Sequence, residues 1–247
     1  MTRKLSKIFK AVTNFKAGIL DLIFPRYCLG CNREADLNSN LQNSWFCKTC
    51  LSKIVKVRSQ VCPQCHHLSL QGTYCPRCKK DKALKGIICT TYYEEGALKE
   101  LVHNLKYNGV TELVPLLGQM MIESLQDNLK YENYILTFTP LHFMRQATRG
   151  YNQAQLLAEY IGQSLGIEVQ NILVKTRATK RQVELQGSSR RKNLSGVFRL
   201  KTNVDIAKKK IIIVDDITTT GSTLNECAKV LKSAGAKEVW GLVIARG

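Results

Sequence analysis

Four Cys-x-x-Cys pairs stand in the first third of this 247-residue chain: CLGC at Cys28 and Cys31, CKTC at Cys47 and Cys50, CPQC at Cys62 and Cys65, and CPRC at Cys75 and Cys78. A two-residue gap lets two thiolates reach one tetrahedral metal from a tight turn, with metal–sulfur distances near ~2.3 Å. Four pairs therefore make two four-cysteine zinc sites. Disulfides suit small secreted domains, and redox proteins rarely carry four such motifs. The spacing leaves the pairing open. Sequential sites, 28/31/47/50 and 62/65/75/78, are preferred over a cross-braced arrangement. With four cysteines per site, His66 and His67 read as surface residues. Cys89 lies in the apolar run GIICTTYY and Cys227 on a helical stretch, and both read as small buried hydrophobes.

The zinc segment is also where the charge gathers. The net charge is +18, and residues 1–90 hold sixteen Lys and Arg against four acids, a balance of +12. A basic segment of this strength points to a polyanion: nucleic acid, an anionic membrane or a phosphorylated ligand. The N-terminus does not read as a secretory signal, because Lys7, Lys10, Lys16 and Asp21 interrupt any apolar run of the needed length. Leu5, Ile8, Phe9, Val12 and Ile19 fall at helical spacing between lysines, which predicts a short basic amphipathic helix. No stretch approaches the roughly 18 apolar residues of a membrane span. These features place the protein in the cytosol.

Beyond residue 85 the pattern alternates. Strands are expected over Gly86–Tyr93, Tyr134–Phe138, Asn171–Lys175, Lys210–Val214 and Val239–Ala245. Helices are expected over Gly96–Lys106, Leu113–Leu125, Asn152–Leu165 and Ser222–Ala234, the last with Leu224, Ala228 and Leu231 on one face. Such alternation indicates an α/β domain with a mostly parallel sheet. The expected division is a basic helix with a double zinc-ribbon module over 1–84 and an α/β domain over 85–247. Lys175–Asn193 reads as a loop.

The stretch KKKIIIVDDITTTGSTLNE, Lys208–Glu226, carries the chemistry. Ligands of open parallel sheets bind at the carboxyl ends of strands. Here a strand ends at Asp215 and Asp216, and Thr218 to Thr223 lead into a helix. Amides at a helix N-terminus, joined by hydroxyls and a small glycine, cradle a phosphate. Two acids cannot hold that phosphate, but they accept from sugar hydroxyls. The stretch fits a ribose 5-phosphate, with the acids on the diol and the loop on the phosphate. A merely capped helix explains the hydroxyls and leaves the double aspartate unexplained.

IIIVDDITTTGST resembles the phosphoribosyl pyrophosphate (PRPP) loop of type I phosphoribosyltransferases. TPLHFMRQATRGYNQAQLLA from Thr139, LVHNLKYNG from Leu101, TRATKRQVELQGSSRRKNLSGVF from Thr176 and the paired zinc ribbons together resemble the ComF family of ComFC-type late competence proteins. Tyr151 stands where that family usually has Phe, which keeps the aromatic plane, and Ser189 stands where a charged residue is expected.

The resemblance implies a parallel-sheet type I phosphoribosyltransferase domain behind a small zinc-ribbon module. It implies that Asp215 and Asp216 bind the ribose hydroxyls, partly through Mg²⁺, and that Thr218, Thr219, Thr220, Gly221, Ser222 and Thr223 hold the 5-phosphate. Leu141, His142, Arg145 and Arg149 would serve the pyrophosphate, Arg being suited to bidentate grip. His142 as a turn cap, Arg149 as a structural pair and Lys106 as a solvated helix residue are the plainer alternatives. Lys175–Lys192 holds seven cations and one acid and would close over the site. The implied role is natural transformation: handling incoming single-stranded DNA beside a helicase-like, ComFA-type partner, with Trp45, Phe46 and Tyr74 offered for base stacking or as ribbon-core padding. The alternatives are an active phosphoribosyltransferase with an unidentified acceptor, and an adaptor gated by PRPP.

Overall fold

A computed structural model describes residues 27–34, 45–93, 96–177 and 196–247. The expected N-terminal helix and most of the cationic loop, including Ser189, lie outside these residues. Chain contacts divide the molecule into two compact units, Met1–Ile54 and Val55–Gly247. The division falls before the second cysteine group. The reason is burial: Cys62, Tyr74 and Leu84 belong to the same core cluster as the strands.

In the first unit the chain around Cys28 doubles back, with Tyr27 bridged to Glu34, and helix α1 (Lys48–Ser52) follows Cys47. Phe46 is buried there, its ring lying 3.0 Å from where a Gly30 β-carbon would sit.

The second unit is built on four parallel strands. β1 (Gly86–Tyr92), β2 (Tyr134–Phe138), β5 (Lys210–Thr218) and β6 (Glu238–Arg246) lie in the order β1-β6-β5-β2. Ile211, Ile212, Ile213 and Val214 are all fully buried, which is why this strand reads as a continuous apolar run: a parallel sheet is covered on both faces. Helices α3 (Val114–Asn128) and α5 (Gln153–Leu165) pack together and against the strands. Gly118 permits this approach, since a β-carbon there would meet the Tyr160 ring at 2.3 Å. The core cluster that holds Cys62, Tyr74 and Leu84 also sets Ile211, Ile213, Val239 and Val243 against Leu224, Ala228 and Leu231 of α6 (Ser222–Ser233), together with the antiparallel pair β3 (Leu173–Lys175) and β4 (Phe198–Leu200). The helical spacing of Leu224, Ala228 and Leu231 thus marks the buried face of α6. Helix α2 (Ala97–Tyr107) and the short α4 (Phe143–Arg149) complete the elements used below.

β5 runs four residues further than the sequence suggests. It ends at Thr218 because β6 continues beside it, pairing Asp215 with Val243, Ile217 with Ala245 and Thr218 with Arg246. Among the described residues no helix is long and apolar enough to cross a membrane.

Candidate functional site

The extension of β5 places the two aspartates inside the sheet instead of beyond its end. Both are buried: Asp215 is 9% and Asp216 4% exposed. Acids standing at the open end of a strand would face solvent; continued pairing with β6 buries these two instead. Burial of a carboxylate demands partners, and the neighbouring elements supply them. Lys106, from the last turn of α2, sets its Nζ 2.9 Å from Asp216 Oδ1. Gln153, the first residue of α5, donates from Nε2 to Asp216 Oδ2 at 2.6 Å. Arg149 in turn donates to Gln153 Oε1 at 2.5 Å and lies over the Tyr107 ring, 5.2 Å from its centroid. A continuous polar chain so runs from Arg149 through Gln153 to Asp216. Lys106 is no solvated helix residue, and among the described residues Arg149 pairs with a glutamine and with no acid.

Burial and the adjacent Asp216 carboxylate push Asp215 up to about 7, against the opposing hydrogen bonds from Thr139 and the Asp216 amide and the pull of Lys106. Burial also works against the Lys106 ammonium, but the charge and hydrogen bond of Asp216 outweigh it and hold its pKa above the usual lysine value. Lys175, at the end of β3, is lowered to about 8 by burial and by Arg145, while Asp215 pulls it back. Two acids of unlike environment thus sit among lysines.

The chain leaving β5 turns sharply. Thr218 Oγ1 accepts from the Gly221 amide at 3.0 Å, and the Thr220 and Ser222 hydroxyls pair at 2.6 Å. Gly221 is the N-cap of α6 with φ +70°, a left-handed conformation that glycine adopts without penalty. A β-carbon there would lie 2.9 Å from Ile87 Cδ1 and 3.1 Å from the Tyr74 hydroxyl. Having no side chain, Gly221 cannot cap the first amides of α6, and these are what an anion at a helix N-terminus meets. Thr219 and Thr220 are exposed at the turn; Ser222 and Thr223 are half-buried.

The loop after β2 joins this region through Thr139, whose amide donates to Val214 O at 3.0 Å and whose carbonyl accepts from Asn152 Nδ2 at 3.0 Å. Asn152 also caps α5, accepting from the Ala154 amide. His142 caps α4, its Nδ1 accepting from the Met144 amide at 3.4 Å, and is itself buried. Leu141 is half-buried beside it, and Arg145 is exposed. The structure thus brings the aspartate pair together with Lys106, Gln153 and Arg149, and it places His142 as a cap. Gln153 carries no signal of its own in the sequence; only its place after Arg149 and Tyr151 in the quoted signature marks it.

The eight cysteines group as Cys28/Cys31/Cys47/Cys50 and Cys62/Cys65/Cys75/Cys78, the sulfurs of each group within 4.8 Å of one another. Pairing is sequential. Burial would favour the thiols, but backbone amides donating to Cys28 and Cys62 bring both down to about 6. The Cys47 amide reaches Cys28 Sγ at 3.3 Å and the Cys75 amide reaches Cys62 Sγ at 3.5 Å. Amides aimed at one sulfur of each group, and four sulfurs this close together, fit zinc. Of the aromatics offered for stacking, Phe46 and Tyr74 are buried, so they pad the ribbons, while Trp45 is half-buried.

Residues 132–246 match the phosphoribosyl transferase domain, and residues 19–79 match the double zinc ribbon domain. Competence protein F of Haemophilus influenzae is 30% identical over 223 residues, 84% of this chain and 94% of that protein. Competence protein ComFC of Streptococcus pneumoniae is 31% identical over 201 residues, 80% of this chain and 86% of that protein. The DNA utilization protein YhgH of Salmonella typhimurium is 31% identical over 233 residues, 89% of this chain and 97% of that protein.

Proposed function

The chain belongs to the ComF family of competence proteins, a double zinc ribbon ahead of a phosphoribosyltransferase domain, and on that premise we propose that it binds PRPP and handles single-stranded DNA during DNA uptake. The observation that carries the ligand reading is the Asp215–Asp216 pair, fixed by Lys106 and Gln153 just ahead of the glycine-capped α6. Ribose hydroxyls donate to the acids. The 5-phosphate sits on the amides and hydroxyls from Thr218 to Thr223. Arg145 and Arg149 flank the pyrophosphate, with Leu141 and His142 shaping the turn that presents them. Mg²⁺ arrives with PRPP, and the two carboxylates are the hard oxygen ligands it prefers.

The DNA reading rests on the family and on the charge of +18. With Phe46 and Tyr74 buried, stacking falls to exposed aromatics; Tyr107 and Phe143 are 62% and 71% exposed on the elements that carry Lys106 and Arg145. On this reading the protein works in the cytosol, beside a helicase-like partner. Turnover of PRPP onto an acceptor is the second reading, favoured by the complete acid pair; release of pyrophosphate with an added acceptor is its signature.

Anisotropy of a labelled single-stranded oligonucleotide, titrated across salt with and without Mg–PRPP, tests the proposal. Binding should weaken steeply as salt rises, since each neutralised phosphate releases counterions. Absence of binding at low salt removes the DNA role and leaves the transferase reading.

A further inference from the structure

We infer that the second four-cysteine site is an arm of the phosphate loop: zinc bound by Cys62, Cys65, Cys75 and Cys78 positions Thr218–Thr223 through Arg246 and Tyr74, so zinc and PRPP bind cooperatively. This rests on the reading of that loop as the PRPP site.

Three contacts bracket the loop. At its strand end, Arg246 sits opposite Thr218 in the β5–β6 register, and the Gly247 amide donates to Thr218 O at 3.0 Å. The Arg246 guanidinium is buried, and its Nη2 donates to Pro63 O at 2.5 Å and lies 3.5 Å from Cys62 O. Those carbonyls belong to the turn Cys62–Cys65 that presents two of the four thiolates. At the loop's tip, Tyr74, immediately before Cys75, sets its hydroxyl against Gly221. That hydroxyl is buried and has no hydrogen-bond partner among the described residues. At the helix end, the Ala83 amide donates to Asn225 Oδ1 at 3.0 Å, in the first turn of α6.

Zinc adds its own restraint to the Cys62–Cys65 turn, beyond the backbone bonds from His66 N to Cys62 O and from Cys62 N to His67 O. When zinc leaves, the Cys62 and Pro63 carbonyls are released from Arg246. The guanidinium is then buried without its acceptors, an arrangement that costs enough to drive rearrangement. The strand end opposite it is Thr218, whose hydroxyl holds the Gly221 amide. Tyr74 loses its anchor at the same moment. By linkage, whatever zinc does for the ligand the ligand does for zinc. Tyr74 and Arg246 are positioning residues and touch no ligand. The first cysteine site, in the other compact unit, is the internal control.

Zinc affinity of the two-zinc protein is measured by equilibrium competition with a chelating dye, with and without saturating Mg–PRPP, beside calorimetry of PRPP binding. The expected result is tighter holding of one zinc, by about tenfold, with the other unaffected. The protected zinc is the one missing in Cys65→Ser, whose thiol is exposed. Arg246→Gln should hold two zinc and lose the protection, and Arg246→Lys should restore part of it. PRPP binding with both zinc affinities unchanged, or full protection in Arg246→Gln, overturns the inference. If Arg246→Gln does not retain its zinc, the PRPP affinity of Cys65→Ser decides: a drop of about tenfold supports the coupling and an unchanged affinity overturns it. If PRPP does not bind the wild type, the ligand reading fails, and hydrogen exchange at residues 218–223 judges the coupling alone. Faster exchange in Cys65→Ser supports it, and equal exchange overturns it.

Discussion

Lys106 and Asp216 form an ion pair of 2.9 Å across the gap between α2 and the end of β5, with side chains only 19% and 6% exposed. The pair ties the helix that carries Tyr107 to the acid that is proposed to face the ribose. Removing one partner of a buried pair leaves an uncompensated charge, a loss of about 3–5 kcal/mol. Lys106→Met should therefore lower unfolding stability by about 3 kcal/mol at pH 7. Urea unfolding measures this; a loss below about 1 kcal/mol would match an exposed pair instead.

Gly221→Ala tests the loop. A left-handed conformation costs a non-glycine residue roughly 1–2 kcal/mol, and the added methyl would meet Ile87 and Tyr74. The expected outcome is a folded protein, destabilised by about that amount, whose PRPP affinity falls more than tenfold because the turn that aims the amides has moved. Wild-type affinity in calorimetry would show that the turn does not hold the ligand.

Asp215 gives a signature in pH. Its folded pKa, about 7, is raised above the ordinary 3.8. The contribution to stability is therefore full below the ordinary value and is lost as pH rises toward 7. Asp215→Asn should flatten this part of the stability profile between pH 4 and 7. Cation and diol binding need the ionised carboxylate, so PRPP affinity should rise with pH and level off above about 7. A wild-type affinity that stays flat across this range would separate PRPP binding from the ionisation of Asp215.

Metal analysis should return two zinc per chain. Cys31→Ser should lose one of them and leave the melting of residues 55–247 unchanged, because its site lies in the other compact unit. A lowered melting transition for that region would join the two units energetically.

The cysteine spacing and the alternating strands and helices made both zinc sites and the parallel sheet legible, since each rests on local periodicity. The position of the acids was not. Ile211–Val214 reads as a strand that stops at Asp215 because aspartate disfavours strands; only β6, pairing as far as Arg246, carries β5 through both acids. Lys106 and Gln153 were hidden for a related reason. Each sits at a helix end far along the chain from Asp216, and nothing in their own neighbourhoods signals a buried partner. Tyr74 and Phe46 show the reverse: an aromatic among lysines suggests an exposed stacking platform, yet burial decides its use. Nor did the basic composition of the second ribbon signal that Cys62, Tyr74 and Leu84 share a core with the strands.

The central claim is that the acids at the end of β5 bind the ribose of PRPP. Calorimetry of Mg–PRPP against the wild type and Asp215→Asn tests it most directly, since Asn keeps the shape of this buried side chain and removes its charge. The account predicts saturable binding to the wild type and none to a variant that remains folded. Equal affinity for both proteins would contradict it.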